Sequence, residues 1–450
     1  MKEDHFKITL RRIDMKSLAL FLWLTTRLYL AAVRFVLVRL GVPEGMMKET
    51  VLTVVTCVPY VFLALGLSRE KDKGQENSVA VFLLLFLSTV LAFLLSLGLN
   101  PALSTFYFRD PYGIYPVFRP DGAIYGFLFF AVMDDPKELK KVLVHAAYVL
   151  LFFQLVVVFL PVLRRGYWID IAPNGEEDRM RYSLSFGYDL LLLMIIFITE
   201  GVKTKKLRFF ILSILCIALF ATNGGRGAVV MFVVFLVLWL LISIPDQTIA
   251  SYKKILLLGG LSVAAAGILL FWKDLTDGLL STLKSLNLNS RNLDMILRGT
   301  FSSSNGRSMI WGNVIEAIKN GGLFGYGMFG ERPFVVSIHV AGYSHNLFLE
   351  LISGFGIIGL LISLYIIVDS VRMLFFSKDK EWKMLFFILF AGSLKLLLSF
   401  SIWYDWEIWA AVAVAYQYKR SLRVKRAGLA CRERIHDPRF LGPAEEGANG

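Results

Sequence analysis

The residue best placed for chemistry is His345. It lies in Gly342-Tyr343-Ser344-His345-Asn346-Leu347-Phe348-Leu349-Glu350, where a long polar loop gives way to an apolar run through Gly354-Phe355-Gly356-Ile357-Ile358-Gly359-Leu360. A helix opening near 344 puts the imidazole at its N-terminus, where the macrodipole disfavours the imidazolium. A neutral ring that titrates near ambient pH can take a proton from a hydroxyl as a general base. Tyr343 and Ser344 supply hydroxyls beside it. Asn346 and Glu350, four apart, share one helical face as an orienting pair. The plainer reading is that His345 caps the helix and hydrogen-bonds the loop. His339, six residues earlier, competes for the role of base, and His145 reads as a packed histidine within an apolar run.

Two arginines suggest what such a base would work beside. Arg226 sits in the tight turn Thr222-Asn223-Gly224-Gly225-Arg226-Gly227 at the start of an apolar helix, and Arg307 follows Gly306 at the start of an amphipathic one. A cation at a helix N-terminus opposes the macrodipole, and a bound anion removes the conflict. Glycine lets a ligand approach the backbone, free N–H groups at a helix start bind phosphate, and the guanidinium fork matches phosphate oxygens. Arg181, in Arg179-Met180-Arg181-Tyr182-Ser183, is a third candidate for this anion site, with Glu176, Glu177 and Asp178 as its competing salt-bridge partners. Snorkelling to headgroups is the alternative for each arginine. Trp403-Tyr404-Asp405-Trp406-Glu407 pairs aromatic rings with carboxylates, which suits carbohydrate, although the preferred reading is an interfacial aromatic belt.

The elements that position these residues are membrane helices. Of the 450 residues, 56% are hydrophobic, above the share usual for soluble domains, and apolar runs of about 20 residues recur along the chain. The reading is an all-α polytopic membrane protein of about twelve spans: 17–40, 48–67, 78–99, 118–133, 140–163, 182–200, 207–222, 227–244, 254–272, 344–371, 382–402 and 404–418. The first is weakened by Arg27 and Arg34. Twelve spans place every strongly basic short loop, and both termini, on one side, which is cytoplasmic by the positive-inside rule. His345, Arg226 and Arg307 then lie on the outer face. Residues 1–426 form one transmembrane domain. Within it, 273–343 is a large extracytoplasmic loop carrying a short amphipathic helix with Ile310, Val314 and Ile318 on one face. Residues 427–450 read as a disordered cytoplasmic tail.

The net charge of +13 reads as cytoplasmic loop charge rather than a nucleic-acid surface. Three cysteines without metal-ligand spacing predict neither zinc nor a disulfide. Gly354, Gly356 and Gly359 read as a close-packing surface between helices.

These motifs resemble the O-antigen ligase and polysaccharide polymerase superfamily. Tyr343 to Glu350 with the following glycines carries most of the likeness. Gly225-Arg226-Gly227 is similar to the family's Ser-Arg-Gly turn, with glycine in place of serine. Gly306-Arg307 with Trp311 and Gly322-Leu323-Phe324-Gly325-Tyr326-Gly327 resembles the stretch before its histidine, and Arg181 to Tyr188 resembles the polymerase branch.

The resemblance covers about 175–415 and implies a GT-C-type, metal-independent, inverting glycosyltransferase of the bacterial cytoplasmic membrane, without a cofactor. Its donor would be a glycan on undecaprenyl pyrophosphate, Arg226, Arg307 and Arg181 would hold the pyrophosphate, and His345 would activate the acceptor hydroxyl, supported by Tyr343, Asn346 and Glu350. The expected function is a repeat-unit polymerase for O-antigen, capsule or exopolysaccharide, acting in the cell envelope with a lipid-linked oligosaccharide acceptor. Its expected neighbours are a chain-length regulator and a flippase of the same pathway. The alternatives are a ligase transferring the glycan to lipid A core or protein, and, from another class, a lipid-linked oligosaccharide flippase.

Overall fold

The computed structural model describes residues 14–43, 45–69, 73–109, 112–171, 177–180, 182–243, 278, 281, 295, 306–338 and 342–435. The expected span at 254–272, Arg181 and His339 lie outside these residues.

Helix boundaries follow local caps. Asp14 accepts from the backbone N–H of Lys16 and Ser17 at 3.1 and 3.2 Å, Asp135 from Lys137 at 2.9 Å, and Asp379 from Glu381 at 3.1 Å. Each satisfies donors that the first helical turn leaves without partners. Among the described residues, six helices are long and apolar enough to cross a membrane, or seven when a bent pair counts as one span. They are Met46–Arg69, Glu76–Leu99, Pro136–Arg165, Leu184–Thr204, Arg226–Ser243 and Leu347–Phe376. The chain is thus a polytopic membrane protein. Leu184–Thr204 is the central helix, packing on Leu207–Asn223, Lys380–Ser393, Pro136–Phe153 and Arg226–Ser243.

Several expected spans take other forms. The first is two helices, Met15–Leu24 and Thr26–Arg39, bent by 67°. Thr25 and Thr26 turn their hydroxyls onto the carbonyls of Phe21 and Trp23 at 2.8 and 2.7 Å, a back-bonding that bends helices. The segment 118–133 contains the short helix Tyr125–Ala131, buried from Gly126 onward. The segment 382–402 is α-helical only to Ser393, then continues as a 3₁₀ turn, Leu394–Leu397, and irregular chain. The expected disordered tail is corrected at its start, since the last helix runs from Trp406 to Ile435. Its 420s and early 430s hold mainly Arg, Lys, Glu, Leu and Ala, good helix formers, and the first proline is Pro438. The all-α reading missed one element, the antiparallel hairpin Trp168–Ile171 with Glu177–Met180. Trp168 there packs on Phe159 and Phe186.

Ion pairs gather the basic segments at one end of the bundle. Lys140 binds Glu200 at 2.9 Å, Lys203 binds Glu381 at 2.6 Å, Arg420 binds Asp134 at 3.1 Å and Lys425 reaches Asp379 at 3.8 Å. His145 belongs to this end as well. It is exposed beside Lys141 and Glu200 on a cavity of about 360 Å³, which corrects its reading as a packed residue. The helix starts at Arg226, Arg307 and Leu347 lie at the opposite end.

Candidate active site

The N-cap of the Leu347–Val371 helix is Asn346. Its side-chain oxygen accepts from the N–H groups of Phe348 and Leu349 at 3.0 and 3.2 Å. His345 is therefore not the cap. It precedes the cap, 6% exposed, with φ at +53°. Four described residues other than glycine have positive φ. Lys205 is a helix C-cap, and the other three, Phe329, His345 and Phe400, surround the site. Such backbone persists only where surrounding structure enforces it, and it concentrates at functional sites.

Aromatic neighbours hold the segment that carries His345. Its ring packs on Tyr343 with centroids 4.5 Å apart, and the indole of Trp311 donates to the Ser344 carbonyl at 3.1 Å. Trp311 stands one turn beyond Arg307, the first residue of its helix. That helix presses Ile310 and Val314 against Val335, with Ile318 and Leu349 beside them. The amphipathic helix expected in the loop thus packs on the bundle and ties Arg307 to the histidine. Gly306, at φ +78°, forms its N-cap in left-handed backbone that glycine adopts freely.

Arg226 is the first residue of its own helix and is 8% exposed. The turn before it is pinned to the start of the central helix, where Ser183 donates its N–H to the Asn223 carbonyl at 3.0 Å. Gly227 next to Arg226 accommodates Tyr188, for a Cβ added there would fall 1.9 Å from the tyrosine oxygen. The Tyr188 hydroxyl meets Ser399 at 3.2 Å, and both Arg307 and Lys395 lie within electrostatic reach of it. Tyr188 thus touches the first Gly-Arg turn and lies within electrostatic reach of Arg307 at the second.

The spine of the site is the irregular chain from Leu394 to Asp405. Leu397 accepts from the Asn346 amide at 3.5 Å, and Ser399 holds Tyr188. Ser401 donates to Glu350, which also accepts from the Ile402 N–H at 3.1 Å. Glu350 and Asn346 are thus each engaged with this chain rather than forming an orienting pair for His345, because capping turns the Asn346 oxygen back along its own helix. The expected aromatic belt at 403–407 is also corrected. Trp403 packs inward on Phe329, Phe355 and Trp409, while Asp405 and Glu407 are buried around Lys395 at 3.6 and 2.6 Å.

A second buried charged group was missed by sequence reasoning. Arg332 is 1% exposed, donates to the Tyr112 carbonyl and to the Tyr404 hydroxyl at 3.1 Å, and covers the Phe329 ring at 4.3 Å. Glu331 beside it is fully buried, and burial pushes its carboxyl above the usual range. Burial likewise raises the Tyr343 hydroxyl, so this tyrosine stays neutral. In the sequence, Glu331-Arg332 looked like ordinary loop charge. The adjoining Pro333, which starts a short helix at Arg332–Val335, was the one local sign of order.

The glycines after the histidine do not serve helix packing. The Leu347–Val371 helix is broken at Gly356, with φ +55° and ψ −126°. The loop 323–327 inserts there. Tyr326 and Gly327 donate to the carbonyls of Ser353 and Gly354 at 3.0 and 2.7 Å, and Ile357 donates to Leu323 at 2.9 Å. The broken helix and the loop thereby satisfy each other's backbone groups, as apolar surroundings require.

Fold and site together define a polytopic helical membrane protein with a histidine and two helix-start arginines at the end opposite its basic loops. Residues 209–364, a segment that includes all three, match the family model described as O-Antigen ligase. The match supports a likeness to the O-antigen ligase and polymerase superfamily over about a third of the chain. No curated protein and no solved structure matches it. The flippase alternative has no support from the family match.

Proposed function

We propose that the protein is a polysaccharide repeat-unit polymerase working at the outer face of a bacterial cytoplasmic membrane. The observation that carries the reading is the placement of a buried, conformationally constrained His345 on a framework shared with Arg226 and Arg307. In this mechanism His345 accepts the proton of an acceptor sugar hydroxyl. The oxygen attacks the anomeric carbon of a glycan on undecaprenyl pyrophosphate, and the bond from that carbon to the pyrophosphate oxygen breaks. Attack opposite the leaving group inverts the centre. Arg226 and Arg307 stabilise the departing charge, with Arg181 as a further ligand, and the proton passes from His345 to water. Stabilising charge that develops on the leaving group supplies the electrostatic part of catalysis, so this chain's own residues suffice for a GT-C-type transfer. Tyr343 positions the imidazole through its ring, Asn346 fixes the helix start, and Glu350 anchors the 401–402 backbone. Transfer to lipid A core or to protein uses the same donor half-reaction, so a ligase is the second reading, and the Arg181 to Tyr188 segment favours the polymerase.

The test is incubation of the purified protein with a lipid-linked repeat unit. A ladder of products is expected. His345→Ala and His345→Asn, the latter tolerant of left-handed backbone, should lower turnover by about 10²–10⁴-fold. Arg226→Lys and Arg307→Lys should each lower it by roughly 10²-fold, because the charge stays but the fork is lost. A full ladder from the histidine variants refutes the base, and a single addition confined to a lipid A core or protein acceptor identifies a ligase.

A further inference from the structure

The basic end of the bundle holds a cavity of about 360 Å³ between three helices. The Pro136–Phe153 helix lines it with Lys137, Lys141 and His145, spaced four apart and all exposed, so they form one stripe. Lys140, buried, stands beside them. Lys203 comes from the last turn of the central helix, and Lys206 and Arg208 from the start of the next, Leu207–Asn223. Six cations thus meet one lining carboxylate, Glu200.

Acids account for half of this charge. Lys140 pairs with Glu200 at 2.9 Å, Lys203 with Glu381 at 2.6 Å and Lys141 with Glu138 at 3.3 Å. Lys137, Lys206 and Arg208 have no carboxylate within ion-pair reach among the described residues. The Leu207–Asn223 helix has no acid in its first turn and no side chain capping it, so its positive end adds to these cations. Like charges four apart on a helix repel, as Lys137 and Lys141 do. The positive-inside bias asks for cations at one end of the molecule, not for their convergence on one cavity. A phosphate there relieves the repulsion and serves the open helix start.

The depth of the cavity says which phosphate. The uncharged run of the Pro136–Phe153 helix begins at Val142, directly after Lys141. His145 and Tyr148 lie within that run, and Val144, Tyr148 and Phe209 give the cavity an apolar floor. Tyr148 is set there against Phe197 and Phe209, with ring centroids 5.4 and 6.0 Å away. From Lys137 to Tyr148 the helix rises roughly 16 Å, more than the headgroup layer of one leaflet, about 5–8 Å deep. A soluble anion would use only the charged collar. A lipid uses both parts, with its phosphate at the collar and its ester region and first methylenes below.

We infer that this cavity binds an anionic phospholipid, its phosphate held by Lys137, Lys206 and Arg208 and its ester carbonyls reached by the His145 N–H. Basic pockets between spanning helices recognise such headgroups. The site lies at the end opposite His345 and stands independently of the transfer reaction.

Photo-crosslinking of the full-length protein in phosphatidylcholine nanodiscs tests this. The probe is phosphatidylglycerol carrying a diazirine near the ester end of one acyl chain, and labelled positions are mapped by mass spectrometry. Labelling of 137–148 and 203–209 should saturate, and unlabelled phosphatidylglycerol should suppress it where added phosphatidylcholine does not. Lys206→Gln/Arg208→Gln, at two exposed positions, should weaken it by about tenfold. Labelling of the lipid-facing side of Glu76–Leu99 should stay unchanged in that variant, which shows that the fold is kept. Arg372→Gln/Lys378→Gln removes two exposed cations outside the cavity and should have no effect. Equal suppression by the two lipids, or equal losses in the two double variants, overturns the site. Suppression by inorganic phosphate at the concentration of the competing lipid assigns the cavity to a free anion and overturns the lipid.

Discussion

His345 holds a backbone conformation that costs a non-glycine residue roughly 1–3 kcal/mol, and the site offsets that cost with the Tyr343 ring and the Trp311 hydrogen bond. The buried Glu331 represents a second cost of the same kind, visible in its pH dependence. Its carboxyl is raised by burial, so folding favours the protonated form. The stability this confers is complete below the usual carboxylate range and is lost as pH rises through the folded-state value. Glu331→Gln should therefore flatten the decline of the thermal midpoint as pH rises above the usual carboxylate range, and identical slopes for the two proteins would exclude the assignment. His345, Arg226 and Arg307 were legible because each broke a rule of charge or dipole at a helix start. Glu331, Arg332 and Lys395 were not, since a charge that packing buries looks in sequence like any solvated loop charge. The Asn346–Glu350 spacing misled because capping competes with side-chain pairing along a helix.

At the scale of elements, the decisive device is the exchange of backbone hydrogen bonds between the loop 323–327 and the broken helix. Gly327 is its tightest point. It has φ +87°, and an added Cβ would come 2.5 Å from the Ser96 hydroxyl, which already accepts from the Met328 N–H at 2.7 Å. Gly327→Ala should destabilise the protein by about 2–4 kcal/mol through strain and overlap. Gly312→Ala, in a helix where an added Cβ meets nothing within 4 Å, should be neutral or stabilising by about 0.5–1 kcal/mol. Differential scanning fluorimetry of both variants checks the pair, and equal midpoints would deny the loop its special geometry. The glycine motif was plain in the sequence, but its meaning was not, because its partner lies some thirty residues upstream and backbone pairing leaves no side-chain signature. Helix spans read well where apolar periodicity was long, and poorly at 382–402, where Lys395 and the serines open the chain to serve the site.

For the whole molecule, the separation of ends is the organising fact. Basic segments far apart in sequence meet through ion pairs at one end, and the candidate site occupies the other. Positive-inside orientation then makes two sets of labels. In intact cells Ser308→Cys and Arg119→Cys should react with an impermeant maleimide, whereas Lys378→Cys and Lys425→Cys should react only after permeabilisation. The opposite pattern would put the histidine in the cytoplasm, away from any exported glycan. The broken helix sets how such a molecule responds to its bilayer. The half before Gly356 is buried at Leu347, Leu351 and Gly354, while the half after it exposes Ile358, Leu361 and Leu364. A continuous rod would transmit any tilt imposed by a thicker or thinner bilayer to its tip. Here the strut before Gly356 is bonded to the protein and the one after it leans with the lipid, so His345 keeps its position while the membrane around it deforms.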